Sequence, residues 1–237
     1  MIKLEITPPS LIEFKTLDLI HDGIINGLSK AGMNSDELIG HKSRHWNFGV
    51  QTSRKKTRNR DSVNLEKLII SSPDPMVTNF ILKLNVDNIR KIKNETNEML
   101  SMNGSKIRVL NRPNFDILQE QATFSMISPM IITNKNTKKH YIDITEISDD
   151  LSKIVNNNLS KVFDEEFNLD VSYDKFYVRS NNQKKSICWK YINGKRIVFP
   201  GILVPIHVSG PNEQIEKLWF TGIGEKTRSG FGCLRLI

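Results

Sequence analysis

The sequence holds two cysteines, Cys188 and Cys233, and no Cys-x-x-Cys pair. Neither a thiolate zinc site nor a disulfide framework can be built from them, and a reducing cytoplasm is the expected compartment. No apolar stretch approaches the roughly 18 residues of a membrane span. The opening MIKLEITPP has no apolar run followed by a cleavage site, so no signal peptide is expected. Acidic residues are the minority, 26 against 34 Lys and Arg, which leaves a net charge of +8. They are also scattered, with no cluster of Asp and Glu spaced to hold a pair of magnesium ions. Glycine is sparse at 13 residues, yet four glycines crowd into GIGEKTRSGFGCLRLI, residues 222–237.

What is present reads as globular. A chain of 237 residues makes one large domain or two small ones, and either buries a proper core. The positive balance favours a polyanionic partner, nucleic acid being the usual one, although a chain can be basic for no specific reason.

The periodicities give a coarse map. IKLEI (2–6) alternates as a strand, closed by Pro8 and Pro9. Leu17, Ile20, Ile24, Ile25 and Leu28 recur at three- and four-residue steps, predicting an amphipathic helix over 16–30 with Gly32 at its C-terminal end. A short helix follows over 35–39, capped by Asn34 or Ser35. WNFGV (46–50) and LEKLIIS (65–71) read as strands, and DPMVTNFILKL (74–84) as a helix with Pro75 in its first turn. EMLSMNGSKIRVL (98–110) reads as two strand segments around Asn103-Gly104. The order β-α-β-β-α-β is the ferredoxin-like pattern.

The second half repeats the theme. It has a strand over 122–133 broken at Pro129, a short strand at 140–144 and a helix over 147–167. Strands follow at 171–180 and 186–192, a hairpin turn at Asn193-Gly194, and a strand over 196–210. A short helix capped by Asn212 ends at Gly222, and a strand closes the chain over 231–237. The expected fold class is α+β, two tandem ferredoxin-like domains over 1–112 and 113–237. A single mixed α+β domain is the alternative.

The glycine segment admits three readings: a tight turn, a nucleotide cradle, or a cradle for a nucleic-acid backbone. A Walker loop needs Gly-x-x-x-x-Gly-Lys-Ser/Thr after an early strand, and no Lys follows the second glycine pair. A dinucleotide fingerprint opens a helix, whereas these glycines follow one and precede the last strand. Both nucleotide readings fail on position. A turn with two solvated cations and a loop that lets a phosphodiester approach both remain, with Lys226 and Arg228 as countercharge in the second case.

The pattern Gly222-Ile-Gly224, five residues, Gly230-Phe-Gly232 resembles the glycine-rich loop of the RAMP superfamily of CRISPR systems. GIGEKTRSGFGCL is especially similar to the sixth Cas family, the endoribonucleases that cut CRISPR repeat RNA into guides. SPMIIT (128–133), NNNLSKVF (156–163) and GKRIVFPGILVPIHVSGP (194–211) resemble the same family, so the likeness covers nearly the whole chain. It implies two ferredoxin-like domains and a metal-independent, general acid/base cleavage with no cofactor. In that reaction the substrate's 2′-hydroxyl attacks the adjacent phosphorus, leaving a 2′,3′-cyclic phosphate. Precursor and mature repeat RNA are the implied partners, with a multi-subunit effector complex possible and no membrane.

Such chemistry needs a group to take a proton, one to give a proton, and a cation to hold charge on phosphorus. Histidine suits the proton steps. His41, in ELIGH before Asn47-Phe48-Gly49, resembles the family placement of the catalytic histidine that suits the family's general form better, and it is the leading candidate, with His21 second. His21, in the first helix, resembles the other, and His45 serves if the loop register shifts. For His21 the alternative is a partly buried helix residue, and for His41 an exposed loop position. Lys42 or Arg44 beside His41 would stabilise the phosphorane. Asn26 stands near the place of the family's first-helix tyrosine. Arg54, Lys55, Lys56, Arg58 and Arg60 follow the WNFGV strand undiluted by acids and are expected to bind RNA backbone, together with Gly222, Gly224, Lys226, Arg228, Gly230 and Gly232. A solvated loop is the commoner fate of such a run. Trp46, Trp189 and Trp219 are read as core. The rival function is a non-catalytic RNA-binding subunit of the same superfamily. A general RRM-like RNA binder is disfavoured by the lack of its aromatic motifs.

Overall fold

A computed structural model describes residues 1–39, 44–53, 57, 61–115, 119–132, 151–173 and 184–237. Residue contacts divide the chain into two units. The first comprises Met1–Leu110, Ile187–Phe199 and Arg228–Gly230, and the second Asn111–Ser186, Pro200–Thr227 and Phe231–Ile237.

The first unit opens with β1 (Ile2–Thr7), β2 (Ile12–Phe14) and α1 (Leu17–Lys30), followed by α2 (Ser35–Leu38), β3 (Asn47–Ser53), β4 (Val63–Ser72) and α3 (Pro75–Leu82). Then come β5 (Arg90–Lys93), β6 (Glu98–Ser101) and β7 (Lys106–Val109). The periodic positions of α1 do what their spacing predicts: Leu17, Ile20, Ile24 and Leu28 are buried. Asn34 accepts from the Asp36 amide at 3.0 Å, which starts α2. Asp74 accepts from the amides of Met76 and Val77, and Pro75 in the first turn needs no donor partner.

The main sheet runs β3-β4-β1-β7, all antiparallel, with β2 on the same edge of β4 as β1. Discounting the short β2, the first and third strands are central and the second and fourth are outer, the ferredoxin-like order. Two strands flank the turn at Asn103-Gly104 as expected, and they do not pair with each other: β6 pairs with β5, and β7 pairs with β1. β2 and β5 carry no readable alternation, being three residues and the charged RKIK.

The second unit holds β8 (Gln121–Met126), α4 (Leu151–Phe163), β9 (Asp170–Tyr173), β12 (Ile206–Ser209), α5 (Asn212–Thr221) and β13 (Leu234–Leu236). Its sheet runs β13-β8-β12-β9, antiparallel throughout, again the ferredoxin-like order. Phe124, Val171, Ile206, Val208 and Leu234 share a core with Leu151, Val155 and Leu159 of α4 and Ile215, Leu218 and Trp219 of α5. The fold class is α+β with two ferredoxin-like domains in tandem.

β10 (Lys184–Ile192) and β11 (Lys195–Ile202) form the expected hairpin, with positive φ at Asn193 and Gly194 as a tight primed turn requires. The single strand expected over 196–210 is two, because β11 pairs with β10 while β12 joins the second unit's sheet. Asn212 is the first helical residue of α5 rather than its cap, and its side-chain Oδ1 accepts from the Glu120 amide at 3.1 Å. The helix expected to reach residue 167 stops at Phe163, and Asp164 turns to positive φ. The strand expected at 140–144 lies outside the described residues.

One ion pair ties the start of the second unit to its last helix. The Arg112 guanidinium grips the Glu216 carboxylate at 2.5 and 2.6 Å, and that side chain is only 7% exposed. Arg112→Met would leave a buried carboxylate without its cation. The expected loss is about 1–3 kcal/mol in urea unfolding, larger than for Glu216→Gln. An unchanged midpoint for Arg112→Met would show the pair to be ornamental.

Candidate active site and glycine loop

Three of the five histidines, His21, His45 and His207, fall among the described residues; His41 and His140 lie outside them, as do Lys42, Arg54, Lys55, Lys56, Arg58 and Arg60. His21 sits in the second turn of α1, four residues after Leu17, on the edge of its apolar face. Its imidazole stacks on Trp46, with centroids 5.6 Å apart and planes at 21°. The edge of Trp189 closes a second side at 5.5 Å and 70°, and Phe48 is tilted at 6.3 Å. All four residues belong to the first unit. Trp46 and Phe48 are fully buried, while the His21 side chain keeps 19% of its surface.

The His21 ring is held at one nitrogen. Nδ1 lies 3.2 Å from Asp22 Oδ1, and Nε2 has no hydrogen-bond partner among the described residues. Asp22 is itself placed by cations, with Lys91 and Lys93 Nζ at 3.8 and 3.9 Å from Oδ2. Burial pushes the Asp22 carboxyl up, but the imidazole hydrogen bond and the two lysines outweigh it and hold the carboxyl below its ordinary value near 3.8.

The remaining first-unit candidates serve differently. Ser72 donates to the His45 carbonyl at 2.7 Å, which fixes the backbone entering β3. Arg44, expected as a phosphorane cation, gives its guanidinium to two carboxylates, Glu37 and Asp74, both at 3.2 Å. Those hydrogen bonds raise its pKa. Arg44 is thereby a strut between α2 and α3. Asn26 donates to the carbonyls of Asn88 and Arg90 at 2.9 and 3.3 Å, tying α1 to the start of β5.

The glycine loop is built by close backbone approach. A Cβ on Gly232 would stand 1.8 Å from the Ile223 carbonyl oxygen, and its φ is +68°. That proximity lets the Ile223 amide donate to Gly232 O and the Gly232 amide to Pro129 O, both at 2.8 Å. Ser128 Oγ accepts from the Cys233 amide at 3.0 Å beside them. Gly230 belongs to the first unit, where a Cβ would meet the Phe48 ring at 2.7 Å. Gly222 and Gly224 also have positive φ. These glycines are therefore accounted for by internal packing, and the two cations are what faces outward. Lys226 is exposed, and Arg228 is half-buried with no hydrogen-bond or ion-pair partner among the described residues. Burial alone lowers the Arg228 pKa. A lone, partly desolvated guanidinium is suited to an anion.

Sequence reasoning named His21 only after His41 and missed the surround of His21. Trp46 is core as expected, but Trp189 is a half-buried wall of the histidine site. The signal that could have found it is weak, a lone aromatic on a strand 168 positions away in the chain.

Comparison with known proteins agrees with this architecture. Residues 110–236 match the family model of CRISPR associated protein Cas6, C-terminal. A structure described as a Cas6-related gene from Pyrococcus furiosus superposes with a TM-score of 0.69 at 15% identity, covering 100% of this chain and 98% of the other. An RAMP protein binding different RNA substrates gives 0.67 at 16%, with the same coverage. A Cas6 product complex from Thermus thermophilus gives 0.57 at 14%, covering both chains fully. No curated protein matches the sequence. The family model spans more than half of the chain, and the chain belongs to the Cas6 family of CRISPR-associated proteins, which process or bind CRISPR RNA. No described helix is long and apolar enough to cross a membrane.

Two outcomes test this geometry. Gly232→Ala should cost more than about 3 kcal/mol or prevent folding, because backbone must move as well as φ. Gly194→Ala, with φ +73° and nothing within 4 Å of its Cβ, should cost only about 1 kcal/mol. Equal losses in urea unfolding would refute the close-approach account. For Asp22 the folded pKa is depressed, so its contribution is present above the ordinary value near 3.8 and disappears as pH falls through the lower folded value. With a half-exposed carboxylate that contribution is under about 1 kcal/mol. Wild type should exceed Asp22→Asn by that margin at pH 7 and lose the margin by about pH 2, read from melting temperatures across the series.

Proposed function

We propose that this protein is a metal-independent endoribonuclease that cuts CRISPR precursor RNA within the repeat to release guide RNAs. The observation that carries the reading is the His21 imidazole. It is walled by three aromatic rings and held through Nδ1 by Asp22, with Nε2 unpartnered among the described residues and part of the ring open to solvent. Family membership supplies the substrate class.

In this reading the RNA 2′-hydroxyl attacks the adjacent phosphorus as its proton leaves. The new P–O2′ bond forms, the P–O5′ bond breaks, and the departing 5′-oxygen receives a proton. The products are a 2′,3′-cyclic phosphate and a 5′-hydroxyl. His21 Nε2 performs one of the two proton transfers, and Asp22 orients the ring without touching substrate. Arg228, in the same unit and without a carboxylate partner among the described residues, holds a phosphate oxygen, and Lys226 adds exposed charge along the strand. The 54–60 cations extend the grip on the backbone. His41 with Lys42 is the competing acid/base pair, carried by the resemblance of ELIGH to the family's other placement. His45 is the third candidate. The repeat recognised by hairpin or sequence is the RNA partner, and the protein acts alone or within an effector complex.

A non-catalytic RNA-binding subunit is the second reading, favoured by the likeness to the RAMP protein binding different RNA substrates. One experiment separates the two. Repeat RNA from the source organism's own CRISPR array is incubated with the protein in EDTA, beside RNA carrying one 2′-deoxy nucleotide at the cut. The expected result is cleavage of the first and none of the second. Binding without cleavage selects the subunit reading, and equal cleavage of both RNAs overturns the mechanism. In parallel, His21→Ala should slow single-turnover cleavage by about 10²–10⁴-fold. Loss confined to His41→Ala moves the role to that residue.

A further inference from the structure

Beside the histidine site, the first unit has an open groove of about 900 Å³ between the outer face of α1 and the β5–β6 hairpin. Its apolar lining is unusually bare: Ile39, Ile92 and Met99 are 55%, 66% and 63% exposed, and Ile25 of α1 is half-buried beneath them. Three of the thirteen large apolar side chains left open among the described residues thus line one groove. Arg90 stands on its wall, exposed and without a side-chain partner among the described residues. Lys91 adds a second cation. The lining also includes Asp22, the residue that holds His21.

We propose that this groove is a nucleotide subsite: it receives one unpaired RNA nucleotide next to the bond that is cut, the base lying on Ile25, Ile92 and Met99 and its phosphate on Arg90. The inference rests on the endoribonuclease reading and deepens it. Three observations select this occupant. Sites for small ligands span about 300–1,000 Å³ and pair an apolar floor with a few polar groups, as here. A base is flat and apolar on its faces while its phosphate is anionic, which matches aliphatic side chains flanked by an unpaired guanidinium. Continuity with Asp22 puts the groove beside His21, so a strand threaded past the imidazole leads its neighbouring nucleotide into it. A protein partner fits less well, since four apolar side chains fall far short of the roughly 20–30 residues a side of a stable interface. Asn26 does not read the ligand, because its amide nitrogen is already committed to the carbonyls of Asn88 and Arg90. It keeps the wall in place.

The test uses the full-length protein and the same repeat RNA, fluorescently labelled, alongside a series in which each unpaired nucleotide flanking the cut is made abasic in turn. Ile92→Glu and Arg90→Ala change exposed side chains, so the fold is retained, checked by melting temperature. Wild type should bind one abasic RNA of the series about tenfold more weakly than intact repeat RNA, read by anisotropy. Ile92→Glu should bind intact RNA about tenfold more weakly and lose nothing further with that abasic RNA. Arg90→Ala should flatten the dependence of log Kd on log salt by about one. The proposal is overturned if Ile92→Glu and Arg90→Ala bind every RNA as wild type does. It is also overturned if Ile92→Glu leaves RNA binding intact but shifts sedimentation from dimer to monomer, which would assign the groove to a second copy. If wild type neither binds nor cuts repeat RNA, the endoribonuclease reading itself fails, an outcome distinct from either of these.

Discussion

The glycine loop depends on one steric fact: Gly232 lies so close to the Ile223 carbonyl that no Cβ fits between them. From that approach follow the hydrogen bonds Ile223 to Gly232 and Gly232 to Pro129. The Glu225 amide then reaches Ile131 O at 2.8 Å. Three separate stretches, 128–131, 223–225 and 232–233, are thereby fastened mainly by backbone hydrogen bonds. The residues between, 226–231, are fixed at both ends. Such a loop presents Lys226 and Arg228 with less conformational freedom to lose on binding than a free loop would.

The same economy of small residues recurs at the histidine site. Gly230 is a glycine because the Phe48 ring occupies the space a side chain would fill. Phe48 stacks with Trp46 at 6.0 Å, and Trp46 carries the His21 ring. A contact chain from the loop glycine to the imidazole thus lies within the first unit. Aromatic walls limit how far the ring can rotate, and Asp22 sets which nitrogen faces the protein. Rigid walls and one fixed nitrogen are what a group transferring a proton at a defined atom needs.

How much of this was legible follows from where the information lies. α1, α3 and the hairpin at Asn193-Gly194 were readable because their signals are local: apolar spacing, a proline in the first turn, a turn dipeptide. β5 was not, because RKIK offers no apolar face to recognise. The partners of the strands around Asn103-Gly104 were not readable, because a turn signal says that the chain reverses, not which strand it then joins. The split of 196–210 was hidden because both pieces alternate alike and only the sheet each joins tells them apart. The ring of aromatics on His21 draws on residues 46, 48 and 189, and no local window contains it.

The loop cations separate into two physical kinds, and the difference bears on what they can do. Lys226 is exposed, so a phosphate near it meets a hydrated, salt-screened charge that speeds encounter more than it holds. Arg228 has already lost much of its water to burial and has gained no carboxylate in return among the described residues. An arriving phosphate then forms charge-assisted hydrogen bonds without first stripping that water, and the planar guanidinium can take two oxygens at once. A desolvated cation left unpaired lowers the stability of the fold. Its retention beside Gly230 in the unit that holds His21 is intelligible if the missing counter-ion arrives with the RNA.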